Sequence, residues 1–304
     1  MMLGGTTMGT GWTLKALVPP GKQDGHVEES LRSIFATVIA QMSQWEPASL
    51  LSRYNAAAPN TRFDLPPQFG IVLDCALGIA RASGGAFDPA LGAASEAWGF
   101  GARQPGSAAA PANGRQRMSA DHRSLLEDCV RSGELVQPGG LMLDFSGIAK
   151  GFAVDLGVAM LAREGVTHAM LEIGGEVKGV GLNASGTPWW VDLEREPESR
   201  AAATRIGLTG WAVATTGHWH RRRGSDGSSW SHTLDPGTGT PLDDEIRSVS
   251  VLHRGCMQAD ALATVIAVLG VEHGLAFADR HAIPAEVVTR RGVCISAAWR
   301  QWRE

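Results

Sequence analysis

Cysteine is scarce in this chain, and its placement excludes two classes. Cys75, Cys129, Cys256 and Cys294 are scattered over 304 residues without a C-x-x-C spacing, so neither a zinc site nor a disulfide framework is indicated and all four read as core thiols. No apolar run approaches the roughly 18 residues that a membrane-crossing helix needs. An excess of positive charge is also missing: 27 Lys and Arg stand against 31 Asp and Glu, a formal net charge of −4. That balance leaves no electrostatic footprint for nucleic acid, and the Arg221-Arg222-Arg223 run reads as a solvated loop. The opening Met1-Met2-Leu3-Gly4-Gly5 carries no basic segment, apolar signal core or lipidation cysteine, so the expected compartment is cytoplasmic, or periplasmic if the N-terminus is truncated. Gly4-x-x-x-x-Gly9-Thr10 has the glycine spacing of a phosphate-binding loop, but no Lys follows Gly9 and no strand is expected before it, so that reading is rejected.

What is present is a sizeable core, since 44% of the residues are hydrophobic. From Glu28 to Trp45 the apolar positions Leu31, Ile34, Phe35, Val38, Ile39, Met42 and Trp45 keep helical spacing, and Pro47 ends the run. Further helices are expected from about Ile71 to Ala82, stopped by Gly84-Gly85, and from about Gly151 to Arg163. Residues 104–114 are rich in Ala, Gly and Pro, marking a surface loop or flexible insertion over 104–118. The second half reads as short strands between Gly-rich turns: Thr167 to Ile173, Pro188 to Leu193, Thr204 to Leu208, Trp211 to Ala214 and Ile246 to His253. Gly174-Gly175 looks like a hairpin turn, or a place where backbone approaches a flat ligand. Strands do not alternate regularly with helices and no fixed-period repeat is visible. The fold class is therefore α+β with largely antiparallel sheets and packed helices, not a doubly wound parallel sheet.

Two segments carry the chemistry. In Leu143-Asp144-Phe145-Ser146-Gly147-Ile148-Ala149-Lys150-Gly151 a strand-like run breaks at small residues and restarts as a helix with Lys150 at its mouth. Helix starts offer unpaired N–H groups to a phosphate, and Gly147 permits close approach to the backbone. In the apolar helix that begins near Cys256, with Gly270 as its stop, Asp260 and Thr264 are four apart and share a face. A buried carboxylate needs a partner. One candidate is a hard cation such as Mg²⁺, which carboxylate, hydroxyl and carbonyl oxygens suit; the other is local bonding, with Asp260 capping this helix and Thr264 bonding back to a carbonyl. His232 lies in Ser231-His232-Thr233-Leu234-Asp235-Pro236, suited to donate to a phosphate or accept a proton. Trp45 either stacks on a flat ring or completes the stripe of its helix. Asp88, between Phe87 and Pro89, is a turn residue by chemistry.

Eight blocks in order resemble the ApbE family of flavin transferases. They are Met8-Gly9-Thr10; Met42-Ser43-Gln44-Trp45-Glu46-Pro47-Ala48-Ser49 with Arg53-Tyr54-Asn55; Ser83-Gly84-Gly85-Ala86-Phe87-Asp88-Pro89 with Trp98-Gly99-Phe100-Gly101; Asp144 to Asp155; Glu172-Ile173-Gly174-Gly175-Glu176; Ala214-Thr215-Thr216-Gly217; Ser231 to Pro236 with Thr238-Gly239; and Ala259-Asp260-Ala261-Leu262-Ala263-Thr264. Thr216 stands where Ser is usual. The resemblance implies a single ApbE-like domain over 1–304, two-lobed, with the active site between the lobes. It implies Mg²⁺-dependent transfer of FMN from FAD to a Thr or Ser hydroxyl of an acceptor flavoprotein, with release of AMP. By the same resemblance Met8, Trp45, Ala86, Phe87, Asp88, Asp144, Lys150 and Leu234 contact the dinucleotide, the Gly147 carbonyl, Asp260 and Thr264 hold the metal, and His232 and Asp260 are catalytic. The alternatives are a Mg²⁺-dependent FAD diphosphatase and an FAD-binding protein without turnover.

Overall fold

The computed structural model describes residues 1–19, 24–102, 118–196, 203–217, 222–225 and 228–302. The insertion expected at 104–118 lies outside them except for Met118. The chain divides into two compact units. One comprises Met1–Val38, Ile148–Gly217 and Ile246–Glu304; the other comprises Ile39–Gly147 and His218–Glu245.

The first unit is built on an eight-stranded sheet in which every neighbouring pair is antiparallel. Its strands, Met2–Thr7, Thr10–Leu17, His168–Ile173, Glu176–Val180, Trp211–Gly217, Ile246–His253, Ala285–Thr289 and Gly292–Ile295, lie in the sheet in the order in which they occur in the chain. Ile246–His253, expected from its alternation, is found with the expected bounds. Alternate side chains serve different layers. Trp12 meets Phe35 of the helix Asp24–Met42 edge to face at 5.4 Å, and Leu171 lies against Gly157 of the helix Ala149–Arg163. Met170, Val177, Val213 and Leu252 instead pack with Trp189, Ile206 and Leu208 of a two-stranded ribbon and with Trp299 of the C-terminal helix. The sheet is thus covered on both sides.

The 25-residue helix Cys256–Arg280 packs on the strands Trp211–Gly217 and Ile246–His253 and on Ala149–Arg163. An 18-residue window of it has a mean hydropathy of 1.8, so by length and composition alone it is long and apolar enough to cross a bilayer, which the reading of the sequence does not expect. Its apolar side chains are spent on the core: Leu262, Val265 and Ile266 are buried. Gly270, at φ 78° and ψ 175°, leaves the helical region where a stop was expected, and the chain resumes the helix directly afterwards.

A strand does precede Gly9. Thr7 pairs with Thr10 across a two-residue turn in which Met8 has φ 50° and Gly9 φ 74°. The turn leads into another strand rather than a helix and no Lys follows Gly9, so the rejection of a phosphate loop stands although one of its grounds does not. The Gly174-Gly175 turn has the same form, with φ 60° and 97°, as the hairpin expectation requires. Both turns sit at the same end of the sheet, where Gly174 N–H donates to Gly11 O at 3.0 Å.

In the second unit the helices Leu50–Ala56, Pro67–Ala82, Gly92–Ala97 and Ala120–Ser132 surround a core that includes Leu51, Tyr54, Phe69, Leu73, Leu126 and Phe145. The helix expected at 71–82 begins at Pro67 because a proline at the first helical position loses no hydrogen bond. Arg222 and Arg223 belong to the strand Arg222–Ser225 rather than to a loop. Residues 141–145 belong to no helix or sheet. Leu143 is bonded at both its N–H and its C=O, each at 2.8 Å, by the side-chain amide of Asn55, which takes the place of a neighbouring strand.

Candidate functional site

In the first unit the helices Ala149–Arg163 and Cys256–Arg280 touch at their first turns. A Cβ on Gly151 would stand 2.4 Å from Cys256 O, so only glycine permits this approach. The contact is locked in both directions. Gly151 N–H donates to Asp260 Oδ2 at 3.1 Å, and Met257 N–H donates to Asp155 Oδ2 at 3.0 Å, so each helix start is capped by a carboxylate of the other helix. Asp260 therefore does not cap its own helix, the local alternative read from the sequence, but the neighbouring one. Lys178 Nζ holds the second oxygen of Asp155 at 2.6 Å.

Lys150 projects from the second position of its helix and meets Glu176, the first residue after the Gly174-Gly175 turn, with Nζ 2.5 Å from Oε2. Glu176 and Asp260 are both buried. Burial, opposed by Lys150 and aided by the charge of Asp260, pushes Glu176 up to about 8; burial also raises Asp260, against Lys150 and the Gly151 N–H. Two buried carboxyl groups thus share one ammonium, and burial drives both towards their neutral forms; a divalent cation would favour their ionised forms instead. Asp260 Oδ1 makes no hydrogen bond among the described residues, and Thr264 lies one turn further on the same helix, half-buried. These residues fit a hard cation with oxygen ligands. Among the described residues no group of three or more His, Cys, Asp or Glu side chains is placed to hold a metal ion. Met8 sits at the tip of the first hairpin, in a left-handed conformation that side chains other than Gly and Asn seldom adopt.

In the second unit three blocks converge. Asn55 grips Leu143, Pro89 O accepts from Asp144 N–H at 2.8 Å, and Gln44 Nε2 donates to Ser146 Oγ at 2.9 Å. Asp144 Oδ1 accepts from Ser146 N–H at 2.8 Å, forming the turn that leads to Gly147. Trp45 lies beyond the end of its helix, which stops at Met42, and is 49% exposed, so it does not complete the apolar stripe. Ser43 turns the chain there by accepting from the N–H groups of Trp45 and Glu46, each at 3.1 Å. Ala86, Phe87 and Asp88 are buried. Both Asp88 oxygens are engaged: one accepts from Ala90 N–H at 2.8 Å, the turn role read from the sequence, and the other from Met118 N–H at 2.9 Å, 30 residues away.

Two further blocks meet in the same unit. Trp98 Nε1 donates to Gly239 O at 2.7 Å and its ring lies 5.8 Å from Trp230, while Phe100 packs edge to face on His232 at 6.2 Å. Asp235 closes its turn by accepting from Gly237 N–H at 2.7 Å, and Leu234 is buried beside it. Three contributors escape a reading of the sequence. Glu176 receives no role there, although an acid directly after a Gly-Gly turn is a visible signal. Asp155 closes one of the blocks but receives no role there, and Lys178 gives no signal, because what they hold is distant in sequence.

The ApbE family model matches residues 8–288. An FAD:protein FMN transferase of Vibrio cholerae is 32% identical over 95% of this chain and 87% of its own length, and one of Haemophilus influenzae is 31% identical over 95% and 86%. Among solved structures, the apo form of the Pseudomonas stutzeri flavinyl transferase ApbE has a TM-score of 0.84 and 29% identity, covering 99% of this chain and 96% of that one. The Vibrio cholerae flavin transferase ApbE also has a TM-score of 0.84 and 29% identity, with coverage of 99% and 98%. A family model spanning most of the chain, with relatives above 30% identity along nearly all of it, shows that this protein belongs to the ApbE family.

Proposed function

We propose that the protein is an FAD:protein FMN transferase. A Thr or Ser hydroxyl of an acceptor flavoprotein attacks the flavin-side phosphorus of FAD. The P–O bond to the bridging oxygen breaks, AMP leaves with that oxygen, and FMN remains on the acceptor as a phosphoester. The observation that carries this reading is the group of half-buried Lys150 with buried Glu176 and Asp260 at two mutually capped helix starts. Phosphoryl transfer asks chiefly for positioning and for neutralisation of charge, which such a group is built to provide.

Asp260, Thr264 and the Gly147 carbonyl are the proposed ligands of Mg²⁺, which when bound would neutralise charge on the pyrophosphate. Lys150, oriented by Glu176, would lie against a phosphate oxygen. His232 takes the proton of the attacking hydroxyl. Trp45, exposed beyond its helix, supplies a stacking face, and Met8, Ala86, Phe87, Asp88, Asp144 and Leu234 contact the dinucleotide in this proposal.

Incubation with FAD, Mg²⁺ and a candidate acceptor, with intact-mass measurement of the acceptor, tests the reading. A gain of one FMN moiety is expected, lost on omission of Mg²⁺. Release of FMN and AMP with the acceptor unmodified would replace transfer by FAD hydrolysis, and bound but unconsumed FAD would leave a binding protein.

A further inference from the structure

We infer that Asp155 and Lys178 are positioning residues for the metal, acting through the start of the helix that bears Asp260 and Thr264. The inference rests on the reading of those two residues as metal ligands. It adds a pair that touches neither substrate nor metal in that reading.

The basis is geometric. Asp260 is the fifth residue of its helix and Thr264 the ninth, so the placement of both depends on how the first turn is seated. That first turn has a glycine N-cap, Gly255, with no side-chain capping bond of its own. What fixes it is Asp155, four residues along from Gly151 on the neighbouring helix, accepting from Met257 N–H at 3.0 Å. Asp155 is itself held by Lys178 at 2.6 Å, with side chains only 21% and 17% exposed. The strand Glu176–Val180 that carries Lys178 begins with Glu176, the partner of Lys150. One short strand therefore orients both Lys150 and, through Asp155, the seat of Asp260.

The Gly151 N–H bond at 3.1 Å fixes only one Asp260 oxygen. Without Asp155 the first turn would pivot about that single bond, and the remaining Asp260 oxygen and the Thr264 hydroxyl would lose their common aim. Groups that orient metal ligands typically account for about 10–100-fold in metal affinity.

The test is calorimetric titration of Mg²⁺ into the full-length, FAD-loaded protein without acceptor, together with FAD affinity measured in chelator. Asp155→Ala should weaken Mg²⁺ binding about 10–100-fold while FAD affinity in chelator stays within about twofold of wild type. Lys178→Gln, which keeps the bond to Met257 N–H, should give a smaller weakening in the same direction, and it decides the matter if Asp155→Ala does not fold. Asp260→Ala should abolish the Mg²⁺ signal; wild-type binding by that variant would defeat the ligand reading itself. Loss of binding in Asp260→Ala with wild-type Mg²⁺ affinity in Asp155→Ala and Lys178→Gln would overturn the positioning role alone. A parallel fall of FAD affinity in chelator would overturn it too, since that marks general loosening of the unit.

Discussion

Two glycines on one helix provide a matched test of whether the contact at the capped helix starts is rigid. A Cβ added at Gly151 would lie 2.4 Å from Cys256 O, 2.7 Å from Cys256 C and 2.9 Å from Met257 Cα, all backbone atoms of the facing helix. One added at Gly157 would also meet an atom at 2.4 Å, but that atom is Leu171 Cδ2, the far end of a side chain that can rotate. Ordinary carbon contacts begin near about 3.5 Å, so Gly151→Ala must drive two helices apart by about 1 Å. Overpacking of this kind costs about 1–3 kcal/mol. The separation also stretches the two reciprocal bonds, Gly151 N–H to Asp260 and Met257 N–H to Asp155, each worth about 1.5–3 kcal/mol when intact. The gain in helix propensity from Gly to Ala returns about 1 kcal/mol. The expected net losses are about 3 kcal/mol or more for Gly151→Ala and under about 1.5 kcal/mol for Gly157→Ala. Urea unfolding of both variants, monitored by far-ultraviolet circular dichroism, reads the difference. Equal midpoints, or a larger loss at Gly157, would refute the claim that backbone contact between the helix starts is what the glycine permits.

His232→Ala is expected to retain FAD binding but to slow transfer by roughly 10²–10⁴, as loss of a general base does; unchanged single-turnover transfer would reject the role. In metal-free protein Glu176 is raised from 4.5 to about 8, so its stabilising contribution is complete below about 4.5 and is lost as pH rises through about 8. Wild-type stability should therefore fall relative to Glu176→Gln between about pH 5 and 8, and a flat or rising difference in chemical denaturation would contradict the burial argument. Met8→Asn should relieve the left-handed backbone at the hairpin tip, raising stability by about 1 kcal/mol, while weakening FAD binding. Wild-type FAD affinity in that variant would remove Met8 from the site.

The parts of the fold that are legible in the sequence are those in which local pattern and tertiary environment agree. The helix Asp24–Met42 and the strand Ile246–His253 obey their periodicities, and the Gly-Gly hairpin obeys its turn chemistry. Misreadings fall where a side chain captures backbone. The first helix ends three residues before Trp45 because Ser43 takes up the next N–H groups, and the strand-like run that opens at Leu143 pairs there with Asn55 instead. The N-terminal hairpin is hard to read because Met-Gly is a poor match to the Asn-Gly signal of such turns. The helix Ala120–Ser132, absent from the sequence expectations, does carry a signal, namely Ser119 at its N-cap and left-handed Gly133 at its C-cap.

The candidate site is legible as residues but not as an arrangement, and the topology explains why. In an antiparallel sheet whose spatial order equals its chain order, strand direction alternates, so every second connection returns to the same end. Met8-Gly9, Gly174-Gly175 and the close of Trp211–Gly217 are such connections, and each coincides with a sequence block. Asp260 and Lys150 reach that end by a different route, on helices whose mutual placement depends on Gly151, Asp155 and Lys178. A sequence shows that Asp260 and Thr264 share a face, because that follows from helical period alone. It does not show that Asp260 caps a helix begun 111 residues earlier, at Ala149, because that bond exists only once both helices are packed on the sheet. Substitutions in this second group should therefore alter where the ligands stand, whereas substitutions in the first alter which ligands there are.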